Sequence, residues 1–156
     1  MAESTGENLN IELLPANQAD AEDLVGLRIS AMRESLERLG RFDPVRARDR
    51  FLSSFQPEYT RHICEDGRRV GFVVVKPDGD GVLLDHLYIF PERQRAGIGS
   101  SVLQSVFKEA DQLNKSIRVG ALRGSDSNRF YARHGFELVD EAEWDNYYVR
   151  PSKRAI

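Results

Sequence analysis

The stretch Arg93-Gln94-Arg95-Ala96-Gly97-Ile98-Gly99-Ser100 decides how this chain is read. An apolar run, Val82 to Phe90, precedes it, and an amphipathic run, Ser100 to Leu113, follows. The local order is therefore strand, glycine loop, helix, and that order makes an anion site. The first N–H groups of a helix have no partner inside it, and the aligned peptide dipoles add positive potential there. Gly97 and Gly99 let the backbone come close to a ligand and tolerate positive φ. Arg93 and Arg95 can add charge-assisted contacts to phosphate oxygens. The simplest ligand for such a loop is a phosphate or pyrophosphate.

Two familiar nucleotide loops fit poorly. A Walker-type loop needs a Gly-Lys-Ser/Thr ending, and no lysine stands in that place. A dinucleotide fingerprint needs a third glycine, where this chain has Val102, and an acidic residue at the end of a second parallel strand, which Ile117 to Val119 does not offer. A third pattern fits without strain. Gln94-Arg95-Ala96-Gly97-Ile98-Gly99 reads Q-x-x-G-x-G, and about 30 residues downstream stands Asn128-Arg129-Phe130-Tyr131-Ala132-Arg133-His134-Gly135-Phe136, with a tyrosine four residues before Gly-Phe. Together these resemble the two signatures of the GNAT superfamily of N-acetyltransferases: the acetyl-CoA pyrophosphate loop, and a short helix carrying a tyrosine. The resemblance runs from about Leu9 to Arg150.

The remaining sequence is compatible with that resemblance. The chain has 156 residues, a length that favours one domain with a proper core, expected over 9–150. A net charge of −3 gives no hint of nucleic-acid or membrane binding. Cys64 is the only cysteine, so no internal disulfide forms, and its apolar neighbours Ile63 and Val70 suggest a buried small residue. Residues 1–8 read as a polar, disordered tail without the features of a signal peptide, and the end from Pro151 is polar too. No apolar run approaches a membrane span, and the expected compartment is the cytoplasm.

Taken in order, Leu9 to Leu14 reads as a strand stopped by Pro15. Asn17, with Asp20 three residues on, is close to a capping box. Val25, Ile29, Met32, Leu36 and Leu39 mark one helix face that Gly40 ends. Asp43-Pro44 starts a second helix, with Val45, Phe51, Leu52 and Phe55 on its apolar side. Strands at Thr60 to Glu65 and Arg69 to Lys76 flank the hairpin pair Asp66-Gly67, and Pro77-Asp78-Gly79 forms the next turn. Val82 to Phe90 is apolar on both alternating faces, as a central strand would be. The third helix turns Val102, Leu103, Val106, Phe107, Ala110 and Leu113 inward. Ile117 to Leu122 is a fifth strand. Ser125 or Asp126 caps a short fourth helix, and Phe136 to Val139 pairs with Tyr147 to Arg150 as a final hairpin. Periodicity alone yields a mixed α/β domain. The resemblance implies more: a GNAT-like fold, with a mostly antiparallel central sheet, parallel and splayed fourth and fifth strands, and about four helices.

Acetyl transfer from a thioester to an amine requires that the acyl donor be held, that the amine lose a proton, that the tetrahedral oxyanion meet donors, and that the leaving thiolate receive a proton or a strong hydrogen bond. The resemblance gives the holding of acetyl-CoA, released as CoA, to Gln94, Arg95, Ala96, Gly97, Ile98 and Gly99, with Ser100 adding a hydroxyl at the helix start. It gives the pantetheine arm to the backbone of Leu87, Tyr88 and Ile89, where an N–H would face the oxyanion. It makes Tyr131 the general acid. Tyrosine's pKa of about 10 lies above a thiol's of about 8.5, so full proton transfer is uphill by about 2 kcal/mol, and a hydrogen bond to the developing thiolate is the simpler role. Relatives often carry a pantetheine-contacting asparagine two turns before the tyrosine. Here that place is Gly124 or Ser125, with Asn128 only three residues before Tyr131, so Ser125 or Asn128 could substitute or could simply cap the helix.

His86 and Asp85 are polar residues in an apolar strand and point to opposite faces. His86 has the more suitable pKa for taking an ammonium's proton, directly or through water; its competing reading is a satisfied core histidine. His134 reads as a packing or capping residue. The resemblance places the acceptor between the first two helices and the last hairpin. Arg33, Glu34, Glu37, Arg41 and Asp43 are polar residues of the helical region, Met32 to Phe51, and the last hairpin adds Asp140, Glu141, Glu143, Trp144 and Asp145; an acidic rim with an aromatic residue would suit a cationic amine if it is not simply solvated. The expected acceptor is a small-molecule amine, with a protein amine as the alternative and a non-catalytic acyl-CoA-binding module as the rival. A homodimer is compatible with the resemblance, although no stripe of residues identifies an interface.

Overall fold

The computed structural model describes residues 9–153, so the expected disordered tail at 1–8 lies outside the described residues. The strands are β1 (Ile11–Pro15), β2 (Thr60–Glu65), β3 (Arg68–Asp78), β4 (Gly81–Ile89), β5 (Ile117–Leu122), β6 (Glu137–Glu141) and β7 (Asp145–Arg150). The helices are α1 (Ala21–Arg38), α2 (Pro44–Ser54), α3 (Ile98–Gln112) and α4 (Ser127–Arg133). The strands hydrogen-bond in the order β1-β2-β3-β4-β5-β7-β6. β4 and β5 run parallel, Val82 opposite Ile117 through Leu84 opposite Val119, whereas β1–β2, β2–β3, β5–β7 and β6–β7 are antiparallel. The apolar run at Val82 to Phe90 thus becomes the central strand its two-faced pattern predicts.

Local chemistry accounts for the boundaries. Pro15 ends β1 on the sheet edge, where a missing N–H costs no ladder bond. Asn17 accepts from the Ala19 N–H at 2.9 Å while Asp20 accepts from the Asn17 N–H at 2.9 Å; this reciprocal cap opens a 3₁₀ turn that runs into α1. Gly40 takes φ +69 just past the end of α1. Asp43 accepts from the Arg46 N–H at 3.1 Å, and Pro44 occupies the first helical position of α2. Between β2 and β3, Asp66 and Gly67 have φ of +52 and +84, the two positive values that a tight hairpin of this twist needs.

Several expectations are corrected. Pro77 and Asp78 belong to β3, and the turn falls on Gly79 and Asp80. The third helix begins at Ile98, inside the glycine loop, and a 3₁₀ turn at Pro91–Arg93 precedes it. Leu113 is 63 % exposed, because the chain leaves the helical path at Asn114, φ +55. Val45 is 68 % exposed: it sits in the first turn of α2, away from the face that buries Phe51. Burial along α1 is confined to its first half, Leu24, Val25 and Leu27, and Leu39 at the far end is exposed. The last hairpin forms as expected, with its second strand paired to β5 and β6 on the edge.

The chain divides into two compact units. One comprises residues up to Val74 together with His86–Val102; the other comprises Val75–Asp85 with the residues from Leu103 onward. The first is built on Leu24, Val25, Leu27, Phe51, Phe72 and Val74. The second buries Leu103, Val106 and Phe107 of α3, Ile117, Val119 and Ala121 of β5, and Tyr131, Phe136 and Tyr148. A wholly buried aliphatic or aromatic side chain contributes about 1.5–3 kcal/mol, so each unit has a core of substance.

Candidate active site

In the first unit, the end of β4 from His86, the 3₁₀ turn, the glycine loop and the start of α3 follow one another. Gln94 donates from Nε2 to the Ile89 carbonyl at 2.9 Å, tying the loop to the end of its strand. Arg95 and Gly97 both adopt left-handed backbone, φ +65 and +85. Gly97 lacks a side chain that would be strained there, and Arg95 is a non-glycine residue held in a sparsely populated conformation, a feature that clusters at ligand sites. The first helical bond of α3 runs from the Ser101 N–H to the Gly97 carbonyl at 3.1 Å, so Gly97 sits at the threshold of the helix. Arg95 is exposed, and the loop runs directly into the N-terminus of α3, where the first N–H groups of a helix have no partner inside it.

Arg93, expected from the sequence to add a phosphate contact, is engaged within the protein. It donates from Nε and a terminal nitrogen to both carboxylate oxygens of Glu65, each at 2.8 Å, and this bonding raises the guanidinium pKa further above its ordinary value. Arg93 therefore braces the loop against β2, with both of these donors on Glu65.

The two polar residues of β4 separate as alternation requires. Asp85 lies 3.1 Å from the Lys76 ammonium, an ion pair between neighbouring strands in the second unit. His86 belongs to the first unit, with ring centroids 5.5 Å from Phe51, 6.1 Å from Phe72 and 5.5 Å from Tyr88. Its Nδ1 is 3.4 Å from the Tyr88 hydroxyl, which donates to the Met32 sulfur at 2.9 Å. His86 is half-buried, a polar group with an aromatic lining. Leu87, Tyr88 and Ile89 are half-buried as well.

In the second unit, Tyr131 on α4 is buried, with Phe130 and Phe136 edge-on at 5.4 Å and Tyr148 at 6.4 Å. Gly135, φ +92, turns the chain so that the Phe136 N–H returns to the Tyr131 carbonyl at 3.1 Å, the local reason for the four-residue spacing. Asn128 is a hub. Its amide donates to the carbonyls of Leu122 at 2.9 Å and Ser125 at 3.0 Å, and its oxygen accepts from Asn146 at 2.9 Å and from the Tyr148 hydroxyl at 2.8 Å. The side chain joins the end of β5, the start of α4 and β7, so its polar capacity is committed within the protein. Ser125 receives that amide through its carbonyl and stands in the turn before α4. His134 hydrogen-bonds the Phe130 carbonyl at 2.8 Å and packs tilted against the Phe130 ring with centroids 4.6 Å apart, the packing role its position suggests. Cys64 is buried, and burial pushes its thiol pKa up, away from a reactive thiolate.

Three groups escaped the sequence reading. Asp20, placed only as a cap, also meets buried His62 at 2.9 Å, and its carboxyl is held below the ordinary range by the Asn17 N–H first and His62 second. Tyr88 enters through its side chain as well as its backbone. Arg28 of α1 lies over the Tyr88 ring. No spacing rule ties α1 to β4, so the last two had no signal in the sequence. Among the described residues no helix is long and apolar enough to cross a membrane, and no cluster of His, Cys, Asp or Glu is placed to hold a metal ion.

Comparison with known proteins bears on the same segments. The family model described as an acetyltransferase (GNAT) domain matches residues 57–138, more than half of the chain. A comparison with curated protein sequences finds no match. Among solved structures, the chain is similar to the PaiA N-acetyltransferase from Thermoplasma acidophilum in complex with coenzyme A, with TM-score 0.75 and 18 % identity over 91 % of this chain and 99 % of that one. It is also similar to an acetyltransferase from Thermus thermophilus (TM-score 0.71, 18 % identity, 90 % and 96 % covered). A third is the ribosomal-protein-S18-alanine N-acetyltransferase from Escherichia coli (TM-score 0.65, 15 % identity, 94 % and 96 % covered). At these identities the likeness shows the fold.

Proposed function

The chain belongs to the GNAT acetyltransferase family, and on that premise we propose that it transfers an acetyl group from acetyl-CoA to a primary amine by direct attack in a ternary complex. The observation that carries this reading is the loop from Gln94 to Ser100, with left-handed backbone at Arg95 and Gly97 immediately before the first bond of α3. Backbone N–H groups there, with Arg95, hold the pyrophosphate. The backbone of Leu87, Tyr88 and Ile89 lines the pantetheine arm and offers an oxyanion donor. The amine loses a proton to His86, directly or through water. Its nitrogen bonds to the acetyl carbonyl carbon, the carbon–sulfur bond breaks, and the departing CoA thiolate takes a proton or a hydrogen bond from Tyr131. Asp85 is less suited to the base role because Lys76 already holds it. Asn128 acts by fixing α4 to β5 and β7. No acyl-enzyme is required, and the buried Cys64 thiol is not a candidate for one.

The acceptor is a small-molecule amine, the enzyme works in the cytoplasm, and residues 9–150 act as one catalytic domain in this reading. CoA-thiol release from acetyl-CoA across polyamines, amino acids, aminoglycosides and short peptides tests it. Release with an acceptor, reduced in Tyr131→Phe, supports the reading. Stabilisation by acetyl-CoA with no release for any acceptor would replace it with a non-catalytic acyl-CoA-binding module.

A further inference from the structure

A neutral imidazole has one N–H and one lone pair, and only the nitrogen with the lone pair can take a proton. Which nitrogen that is depends on what the other one touches. In β4, His86 and Tyr88 stand two residues apart and so on the same face of the strand, with ring centres 5.5 Å apart. His86 Nδ1 lies 3.4 Å from the Tyr88 hydroxyl, and that hydroxyl lies 2.9 Å from the Met32 sulfur of α1. One hydroxyl thus joins the histidine of the strand to the methionine of the helix.

The donor and acceptor capacities of these three groups allow one arrangement that satisfies both contacts. A hydroxyl has one proton to give and two lone pairs to accept with, whereas a thioether sulfur can only accept. The tyrosine therefore gives its proton to Met32, and its oxygen is left as an acceptor toward His86. The histidine meets that oxygen by carrying its own proton on Nδ1. A hydroxyl turned the other way would set its lone pairs against the sulfur at 2.9 Å, with no proton between them. Arg28, whose guanidinium carbon lies 5.9 Å from the Tyr88 ring centre, carries donors only and cannot take the tyrosine proton either. Packing holds the pair: the Tyr88 ring is 5.4 Å from wholly buried Phe72, and His86 is 5.5 Å from buried Phe51.

We propose that Tyr88 is a positioning residue for the reaction: with its proton on Met32, its oxygen fixes His86 as the Nδ1–H tautomer and makes Nε2 the nitrogen that takes the amine's proton. As that proton arrives the ring becomes imidazolium, Nδ1–H stays on the Tyr88 oxygen, and the bond gains charge assistance. The proton passes to water after the product leaves, which restores the neutral tautomer. This inference rests on the acetyltransferase reading with His86 as its base, and the Tyr88 hydroxyl acts through His86 rather than on substrate.

The test reads the tautomer itself. Nitrogen-15 NMR of the histidine side chains is recorded at about pH 8.5, two units above imidazole's ordinary pKa of about 6.5. His86→Gln identifies the His86 signals among the three histidines. Wild type, Tyr88→Phe and Met32→Leu are compared, with thermal unfolding to confirm folding and acetyl-transfer kinetics run alongside. Wild-type His86 should carry its proton on Nδ1. Tyr88→Phe should release it to a mixture of both tautomers. Met32→Leu, close in volume, should free the hydroxyl to donate to Nδ1 and move the histidine proton to Nε2. In both variants kcat should fall by about 3- to 10-fold, the equilibrium worth of one neutral hydrogen bond, while KM for acetyl-CoA stays within about twofold. A wild-type proton on Nε2, or a tautomer that neither variant moves, would make Tyr88 and Met32 packing residues and leave the acetyltransferase standing. The expected tautomers with no transfer to any acceptor would overturn the acetyltransferase reading, and with it the catalytic use of the pair.

Discussion

Replacing Gly71 by alanine should damage the fold at the strand that carries the proposed chemistry. Gly71 is buried in β3, just past a β-bulge where Ile63 pairs with Gly71 and Cys64 with Arg69. A Cβ built on it would lie 2.1 Å from the Tyr88 carbonyl oxygen and 3.1 Å from both the Tyr88 carbonyl carbon and the Ile89 Cα. Carbon and oxygen in favourable non-bonded contact stay about 3.3–3.6 Å apart, so β3 and β4 would have to part by about 1 Å. Both obstacles are backbone, and neither can rotate away. Overpacking of this kind costs about 1–3 kcal/mol. Weakening the neighbouring bond from the Phe90 N–H to the Val70 carbonyl, now 2.8 Å, adds about 1 kcal/mol. A loss of about 3 kcal/mol should lower Tm by about 6–12 °C in a chain of this size. Urea denaturation and calorimetry give the two numbers. Acetyl transfer measured well below the variant's Tm should also fall, since Tyr88 and His86 ride on the displaced strand. An alanine variant within about 0.5 kcal/mol of wild type would refute the close approach of the two strands.

Asp111→Asn should remove about 2–3 kcal/mol, because Arg150, 5 % exposed and 4.0 Å from the Phe107 ring centre, is left without its counter-charge; partial exposure of Asp111 keeps the loss at the low end for such pairs. The Asp111 carboxyl is held below the ordinary range by the Arg150 hydrogen bonds first. Its contribution is therefore complete above the unfolded carboxylate pKa of about 3.9 and is lost as pH falls through the lower folded value, so the variant's stability should fall less steeply in acid when both are unfolded with urea across that range. Asp20→Asn should cost about 1–3 kcal/mol and speed amide exchange at Asn17, since its carboxylate serves both that N–H and His62. Tyr131→Phe should lower kcat at least about 100-fold while acetyl-CoA affinity by calorimetry stays within about twofold; an unchanged kcat would make Tyr131 a packing residue of the Phe130–Phe136 cluster.

The loop is readable because its chemistry is local. Glycine at positions of positive φ, a cap three residues before its helix and a two-residue hairpin turn all act over a few bonds, so Asp66-Gly67, Asn17 with Asp20, and Gly97 show in the residue order. Element sequence and the central place of β4 follow from periodicity by the same logic. Boundaries fail where a neighbour overrides local preference. Pro77 stays in β3, Leu113 falls past the end of α3, and Val45 turns outward because burial depends on what lies opposite a helix, which the helix itself does not encode.

What the sequence by itself determined is the order of elements, the glycine loop and the tyrosine helix, each written in short-range spacing. Only the tertiary structure decided which side chains remain available for chemistry. It bound Arg93 to Glu65 across 28 residues, gave Asp85 to Lys76, committed Asn128 to four partners, and set Arg28 over Tyr88 with a buried donor unanswered. The physical reason is that an ionic or hydrogen-bonding group is defined by its partner, and partners distant in the chain meet only when the sheet closes its register.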